Sequence, residues 1–225
     1  MTSPTHRTVE PAILYLGTPV VLVSSLNPDG STNIAPMSSA WWLGWSCMLG
    51  FDATSQTPRN LARQPECVLN LPAAALVAAV DRLAATTAAS PMPPHKSMLG
   101  YRSEPDKWKA AGLTRLPADD VAPDRIAECP IHLEGVAVAR HAFGAEDPRL
   151  LVPSVAIEVR IVKVHVDEGL LSKEFEDRID PQVWKPLIMS FRQFFSTGDM
   201  LCPSRLAIPP EEAYGGRAPR RRTTP

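Results

Sequence analysis

Short apolar and β-branched runs, separated by turn residues, dominate the first third of the chain. Four strand-like runs follow one another at close spacing: residues 18–26, 31–35, 47–52 and 67–71. Pro28 and Gly30 suit the second and last positions of a tight turn, which predicts a β-hairpin from the first two runs. A short helix is predicted from Pro58 to just before Pro65. The close spacing leaves no room for long βαβ crossovers and favours an antiparallel barrel or sandwich.

The rest of the chain combines helical segments, a proline-rich link and two longer strands. Residues 131–140 and 155–166 return to β character, with an irregularity at Ile161 and Val162 that predicts a bulge. Helical segments are predicted over residues 73–84, from 104 or 105 to 111 between Ser103 as N-cap and Gly112 as the end, and as a single turn over 183–189. The irregular link over residues 85–103 has the length of a functional loop or a disordered segment.

No internal repeat or clear linker divides the chain, so we predict one domain with additions. The expected parts are a flexible N-terminus over residues 1–12, a domain over 13–180, a C-terminal extension over 181–214 that packs on the domain or on a dimer partner, and a disordered tail over 215–225.

Composition and charge narrow the class of protein. Of the 225 residues, 44% are hydrophobic and 21% are charged, the balance of a globular protein. The net charge of −1 argues against a nucleic-acid partner, because no excess of cations replaces the counterions of a phosphate backbone. The apolar stretch over residues 71–89 is interrupted by Asp81 and Arg82, which argues against a membrane span. Residues 1–10 lack the apolar segment of a signal peptide, so we expect a cytoplasmic protein.

Catalytic and metal-binding motifs are absent from the sequence. It has no Gly-x-Ser-x-Gly elbow, no His-Glu-x-x-His helix and no Gly-x-Gly-x-x-Gly turn after a strand. The four cysteines form no Cys-x-x-Cys pair and have no histidine at metal-ligand spacing beside them. We therefore predict neither a metal site nor a side chain that acts as catalyst.

The start of the predicted short helix carries an unusual density of hydrogen-bond donors. Thr57 is placed as the N-cap and Pro58 at the first helical position. A helix start leaves backbone N–H groups without partners and carries partial positive charge, so a phosphate fits there. Ser55, Gln56 and Arg59 add further donors. Capping of the helix alone is the alternative interpretation.

A second polar segment ends the second predicted strand: Pro36, Met37, Ser38 and Ser39. Its two serines are small donors beside exposed backbone, which suits the edge of a flat heterocycle that bears carbonyl groups. The alternative is a plain strand exit.

Aromatic and ionisable side chains near these segments have two interpretations each. Trp41, Trp42 and Trp45 either pack in the core or a dimer seam, or stack on a ring. Lys96 in the proline-rich link is either a solvated charge or a cation folded over a phosphate. His165, on an alternating apolar strand, is favoured as a structural histidine over one near a nicotinamide.

Taken in order, these segments resemble the flavin reductase-like, FMN-binding split-barrel family, in particular its flavoredoxin-type branch. The resemblance runs from residue 13 to 170 and rests on residues 18–23 with the turn at 29–30, and on 33–39, 50–51, 55–61, 68–72, 111–114, 128–134 and 164–167.

The resemblance implies a mainly β protein with short helices, built as a six-stranded antiparallel split β-barrel. It also implies a homodimer that holds FMN at its interface, with the run at 36–39 along the isoalloxazine and the helix start at its phosphate. The implied cofactor-binding residues are Pro36, Met37, Ser38, Ser39, Phe51, Ser55, Gln56, Thr57, Asn60 and Lys96. Gln56 stands where many relatives carry a lysine, which leaves Lys96 or Arg59 as the source of the missing cation.

The leading functional hypothesis is a flavoprotein oxidoreductase, an NAD(P)H-dependent flavin reductase that passes hydride from NADH or NADPH to flavin N5. A small molecule or a protein would then accept the electrons. The first alternative is an FMN-binding electron-transfer or partner-fed flavoprotein without NAD(P)H turnover. The second is a flavoenzyme with a dedicated organic substrate, in which Trp41, Trp42 and the link over 85–103 line a pocket.

Overall fold

A computed structural model of the protein describes residues 5–207, 211–214 and 220–222. The strands in this part of the chain are β1 Thr18–Pro19, β2 Val21–Leu26, β3 Thr32–Met37, β4 Ala40–Leu43, β5 Ser46–Asp52, β6 Glu66–Leu71, β7 Thr86–Thr87, β8 Arg102–Ser103, β9 Arg115–Leu116, β10 Arg125–Ile126, β11 Ile131–Phe143, β12 Ser154–Val166, β13 Leu187–Ser190 and β14 Gln193–Ser196. The α-helices are α1 Gln56–Arg63, α2 Val77–Leu83, α3 Pro94–Met98 and α4 Lys107–Ala111. Short 3₁₀ turns cover Ala74–Leu76, Glu168–Leu170, Arg205–Ala207 and Glu211–Tyr214.

One large antiparallel sheet forms the barrel. Within the described residues, its seven strands lie in the order β3-β2-β6-β11-β12-β5-β4. The edge strands β3 and β4 are joined only by Ser38 and Ser39, so the sheet curls until its two edges meet. The expected mainly β, antiparallel split barrel is therefore confirmed, with seven strands rather than six in this sheet. The unpredicted strand is β4, a tryptophan-containing run that pairs with β5 through a turn at Gly44, where φ is 57°.

The predicted hairpin and the predicted bulge are both present. Asn27 N–H donates to Ser31 O at 2.8 Å, and Gly30 takes a φ of 82° in the turn. In the long β11–β12 hairpin, Glu134 pairs with Lys163 and Gly135 with Ile161, so the register skips one residue of β12. This confirms the bulge, which bends the longest hairpin of the sheet around the barrel.

Apolar residues fill both faces of the sheet. The barrel interior holds Val21, Val23, Leu49, Leu69, Val155, Ile157 and Val159. The outer face packs α2 and α4 over a second cluster that holds Leu22, Ile34, Val80, Leu83, Trp108 and Ile126. Successive residues of β2 face opposite clusters, since side chains alternate across a strand. Burial on both faces explains why this run is almost continuously apolar.

Three helix predictions need correction. The segment over 183–189 is not a helical turn, because Leu187–Ser190 forms β13 between β1 and β14. The helix expected from 104 or 105 begins at Lys107 with Asp106 as N-cap, because the Asp106 side chain accepts from Lys109 N–H; Ser103 therefore does not cap it. Its end at Gly112, with φ of 64°, is confirmed. The helix expected over 73–84 is split into the 3₁₀ turn Ala74–Leu76 and α2.

The predicted terminal segments fall partly outside the described residues. Residues 1–4 of the expected N-terminus, residues 208–210 of the expected C-terminal extension, and residues 215–219 and 223–225 of the expected tail lie there. The described tail residues 220–222 run beside 174–176, where Glu176 N–H donates to Arg220 O and Arg222 N–H to Glu174 O. No helix in the described part of the chain has the length and apolar character needed to cross a bilayer.

Candidate functional site

The start of α1 lies at the end of β5, after a tight turn. The side chain of Asp52 accepts hydrogen bonds from Thr54 N–H at 2.8 Å and from Thr54 Oγ1 at 2.7 Å, and Ser55 N–H donates to Asp52 O at 3.0 Å. The chain has therefore already turned at residue 55, and the helix begins at Gln56 with Ser55 as N-cap. The prediction of Thr57 as N-cap and Pro58 at the first helical position is wrong by two residues.

The Ser55 hydroxyl does not cap the helix and instead accepts a hydrogen bond from a lysine on another helix. Lys96 Nζ donates to Ser55 Oγ at 2.6 Å and lies 3.6 Å from Asp52 Oδ2. The Lys96 side chain comes from α3, inside the proline-rich link, and is only 8% exposed. Burial lowers the pKa of Lys96, and the nearby carboxylate of Asp52 only partly offsets this effect. A buried ammonium group therefore stands directly beside the helix start.

Asp52 organises this corner of the site. His95 Nε2 donates to Asp52 Oδ2 at 2.8 Å, in addition to the two hydrogen bonds from Thr54. Burial alone would raise the pKa of Asp52, but these hydrogen bonds and the charge of Lys96 hold it below its ordinary value. The carboxylate is thus ionised and orients two neighbouring basic side chains. Arg59, the other candidate cation, is exposed on the helix.

The first turn of α1 is attached to the β2–β3 hairpin through Asn60. Asn60 is 1% exposed, and its Nδ2 donates to Ser25 Oγ and to Asn27 Oδ1, both at 3.1 Å. Its Oδ1 accepts from Gln56 Nε2 at 2.7 Å. Asn60 uses all its side-chain polar groups inside the fold, so it holds the helix start in place.

Thr57 connects the helix start to β3. Asn33 Nδ2 donates to Thr57 Oγ1 at 3.3 Å, and both side chains are buried. Among the described residues, in contrast, no hydrogen-bond donor pairs with Asn33 Oδ1, which is buried. An unpaired buried acceptor is costly in a folded protein, and a ligand hydroxyl or N–H group at this position would satisfy it.

The run over 36–39 belongs to the same site. Pro36 lies three residues beyond Asn33 on β3, which is about 10 Å along an extended strand. At the other end, Ser39 O accepts from Gly50 N–H at 2.8 Å, and β5 leads from there to Asp52. Strands β3 and β5 therefore bring the helix start and the run over 36–39 to one side of the barrel, as the sequence predicts.

Exposure along this run suits contact with a ligand. Pro36, Met37 and Ser38 are half-buried, whereas Ser39 is exposed. A Cβ at Gly50 would lie 3.0 Å from the Ser39 Cβ, so a side chain there would push β5 and the run apart by a few tenths of an ångström. Phe51, the next residue on β5, is half-buried beside the barrel core.

The tryptophans lie at the opposite end of β5. Trp42 and Trp45 line an apolar cavity of about 560 Å³ together with Trp184 and residues of β1, β6, β11, β12 and β13. Trp41 is exposed, and no residue of the link over 85–103 lines this cavity. The expected pocket shared by Trp41, Trp42 and that link is therefore not formed by these elements.

His165 makes a structural contact on the outside of the barrel. His165 Nε2 donates to Glu134 Oε1 at 2.6 Å, and the same carboxylate accepts from Asp119 N–H and Asp120 N–H. Burial alone would raise the pKa of Glu134, yet these three hydrogen bonds keep it below its ordinary value. Asp119, Glu134 and His165 each offer one atom that could bind a metal ion, and these atoms lie within 4.8 Å of one another. The carboxylate of Glu134 is nevertheless committed to holding the loop before β10.

Sequence reasoning missed three residues of the site as individual contributors. Asp52 and His95 each carried a signal: an acidic residue with Thr54 two positions later at a strand end, and a histidine adjacent to Lys96. Asn33 belongs to the segment 33–39 that carries the family resemblance, but nothing in the sequence shows that its amide oxygen is left unpaired.

Comparison with known proteins agrees with the fold described above. The family described as "Flavin reductase like domain" matches residues 14–198. The uncharacterized protein YdfE of Bacillus subtilis (strain 168) is 37% identical over 192 residues, covering 85% of this chain and 89% of that protein. Two solved structures are similar to this fold. Flavoredoxin of Desulfovibrio vulgaris (Miyazaki F) has a TM-score of 0.71 and 20% identity, over 90% of this chain and 99% of that one. Nitrilotriacetate monooxygenase component B from Bacillus cereus has a TM-score of 0.69 and 19% identity, over 89% and 100%.

Proposed function

This chain belongs to the flavin reductase-like domain family, and we propose from that premise that it binds FMN and is an NAD(P)H-dependent flavin oxidoreductase. The observation that carries the proposal is the pairing of a buried Lys96 ammonium group with the start of α1, at one end of the strand that bears the run over 36–39. The site thus offers a cationic end and a neutral, hydroxyl-bearing end.

The helix start would hold the phosphate. Lys96 supplies the cation that Gln56 does not, and its hydrogen bond to Ser55 holds it at the first turn. Backbone N–H groups of that turn add donors with the favourable end of the helix dipole. Thr57 would contribute its hydroxyl, while Asn60 keeps the turn in place. These residues fit a phosphate monoester, which carries close to two negative charges at neutral pH.

The run over 36–39 would border the ring system. Ser38 and Ser39 place donors at the edge of the barrel, and Met37 and Phe51 present apolar surface beside them. The Asn33 side chain contacts Thr57 at the helix start, so its Oδ1 would accept a hydrogen bond from a ligand hydroxyl close to the phosphate. When bound, FMN supplies the capacity to take hydride from NADH or NADPH at N5. The protein's own contribution is to orient the ring and to keep one face open.

We also propose that the protein is a homodimer. Hydrophobic side chains on the β4–β5 hairpin are unusually exposed, with Trp41 at 58%, Leu43 at 78% and Trp45 at 62%. They adjoin the apolar cavity lined by Trp42 and Trp184. Contiguous apolar surface of this kind marks an interface in soluble proteins, and a second copy of the chain is the occupant that the family resemblance favours.

The electron acceptor separates the main proposal from its alternative. One structural relative is named as component B of a monooxygenase, which favours a protein that passes electrons to a partner. The same site would then serve an FMN-binding electron-transfer protein without NAD(P)H turnover. A flavoenzyme with a dedicated organic substrate is the other alternative, and its substrate would bind beside the run over 36–39 rather than in the cavity at the far end of β5. All four cysteines are free thiols, which supports a reducing, cytoplasmic setting.

Titration of the purified protein with FMN and with riboflavin tests the proposal. We expect quenching of flavin fluorescence, tighter binding of FMN than of riboflavin, and oxidation of NADH or NADPH when FMN is present. Stable FMN binding without nucleotide oxidation would favour the electron-transfer alternative. A protein that binds neither flavin would refute the proposed function.

A further inference from the structure

A second buried lysine lies close to the site and has no role in the function proposed above. Lys107, the first residue of α4, is only 5% exposed, and its Nζ donates to Ile34 O at 3.0 Å. Within the described residues, no carboxylate lies at ion-pair distance from this ammonium group. A buried charge without a counterion is unusual, because transfer of an ammonium group out of water is strongly unfavourable.

The structural need at this position is only for a hydrogen-bond donor. Thr32 O and Ile34 O point outward from the free edge of β3, and they accept from Trp108 Nε1 at 2.7 Å and from Lys107 Nζ. The Trp108 indole satisfies its carbonyl without any charge. A neutral donor would do the same at Ile34 without the cost of burying a cation, so closing the sheet edge does not explain why a lysine is present.

The surroundings of Lys107 connect it to the phosphate end of the site. Its acceptor, Ile34, is adjacent to Asn33, whose amide contacts Thr57 in the first turn of α1. Burial, together with the ammonium group of Lys96, lowers the pKa of Lys107 to about 8, while Glu104 weakly opposes the shift.

Other charged groups near α4 do not neutralise the ammonium group of Lys107. Strand β3 bears no titratable side chain, and on α2 Arg82 is bonded to Ala111 O at the far end of α4. Asp52, the carboxylate nearest to Lys96, is already bonded to His95. The region therefore holds two buried ammonium groups, and Asp52 lies at ion-pair distance from only one of them, Lys96.

We propose that Lys107 is a positioning residue for the phosphorylated end of the ligand, and that occupancy of the site by a phosphate is coupled to protonation of Lys107. This inference rests on the proposed function. A dianionic phosphate beside Lys96 would remove the excess of positive charge, so the ammonium form of Lys107 would become stable in the complex. Binding at alkaline pH would therefore take up a proton, and binding would weaken as the pH rises above the value at which free Lys107 loses its proton.

The test is the pH dependence of flavin affinity in the full-length protein. Riboflavin lacks the phosphate, so the ratio of FMN affinity to riboflavin affinity isolates the phosphate contribution. We expect this ratio to fall roughly tenfold between about pH 7.5 and about pH 9.5, as expected for linkage to one group of pKa near 8. Isothermal titration at about pH 8.5 in two buffers of different ionisation enthalpy should show proton uptake with FMN and none with riboflavin.

Variants assign the effect to one residue. Lys107→Gln keeps a neutral donor and Lys107→Met removes it; both should abolish most of the pH dependence. Lys109→Met, on the exposed side of the same helix, is the matched control and should retain it. If neither Lys107 variant folds, proton uptake is measured in Lys96→Met, which removes the other buried ammonium group: uptake that persists with FMN supports the coupling, and its absence overturns it.

The outcomes separate the two proposals. FMN binding whose pH dependence is flat, or is unchanged in Lys107→Gln, overturns the coupling and leaves the proposed function intact. Absence of any FMN binding overturns both.

Discussion

Replacement of Lys96 by methionine separates a binding role from a structural role. The methionine side chain is one heavy atom shorter, unbranched and uncharged, so FMN should lose one charge-assisted hydrogen bond at its phosphate. Such a bond contributes about 1.5–3 kcal/mol, which corresponds to a roughly tenfold to 150-fold increase in the Kd of FMN. Riboflavin affinity should change by less than about twofold, because riboflavin has no phosphate for the cation to hold.

The same substitution should leave the fold intact. Lys96 is 8% exposed, and burial lowers its pKa, so the ammonium group is unfavourable in the folded protein without a ligand. The substitution removes the cost of burying this charge, but it also removes the hydrogen bond to Ser55, so the two effects oppose each other. Asp52 keeps His95 and Thr54 as partners. We expect the free energy of unfolding to change by less than about 1 kcal/mol.

Fluorescence titration with both flavins and urea unfolding without ligand are the assays. Lys109→Met is the control for removal of a lysine charge, and it should change neither FMN affinity nor stability. Equal weakening of FMN and riboflavin in Lys96→Met would show that the lysine supports the site as a whole. Unchanged FMN affinity would refute the assignment of Lys96 to the phosphate.

Four further predictions follow from single residues. Asn60→Ala should lower the unfolding free energy by about 2–3 kcal/mol, measured by urea denaturation, because it leaves buried polar partners unsatisfied. Gly135→Ala should lower it by about 1–3 kcal/mol in the same assay, since the new Cβ would lie 2.6 Å from Val159 Cγ1. Between about pH 7 and about pH 9, the unfolding free energy should rise by about 1 kcal/mol more in the unmodified protein than in Lys107→Gln. The pKa of Lys107 is about 8 in the folded protein and 10.5 in the unfolded chain, so the unfolded chain binds more protons in this range. Trp45→Ser should shift the protein toward monomer in sedimentation velocity if the exposed hairpin is the dimer interface, and an unchanged dimer would place the interface elsewhere.

Local signals account for the elements that the sequence predicts well. The hairpin at residues 27–30 follows from proline and glycine at turn positions, and the end of α4 follows from Gly112 in the left-handed conformation. The bulge in β12 is visible as a break in alternation. Each of these features depends on the conformational preferences of a few neighbouring residues.

Errors arose where distant contacts override local preference. The α1 start moved to Gln56 because Asp52 organises the turn before it, although Thr57 and Pro58 form a good local start signal. The segment that contains Leu187–Ser190 became a strand because β1 and β14 offer pairing edges on either side of it. In both cases hydrogen bonds outside the segment decided its conformation.

Local sequence patterns were sufficient to predict the β-rich barrel, the family resemblance and the two polar segments of the candidate site. The charges beside those segments depend on the fold: Lys96 reaches Ser55 across 41 positions, and Lys107 reaches Ile34 across 73. Turn and strand preferences act over a few residues, whereas burial of an ammonium group depends on every element that packs around it. Only the folded chain could therefore show that two cations share this corner of the barrel and that Asn33 has an acceptor to spare.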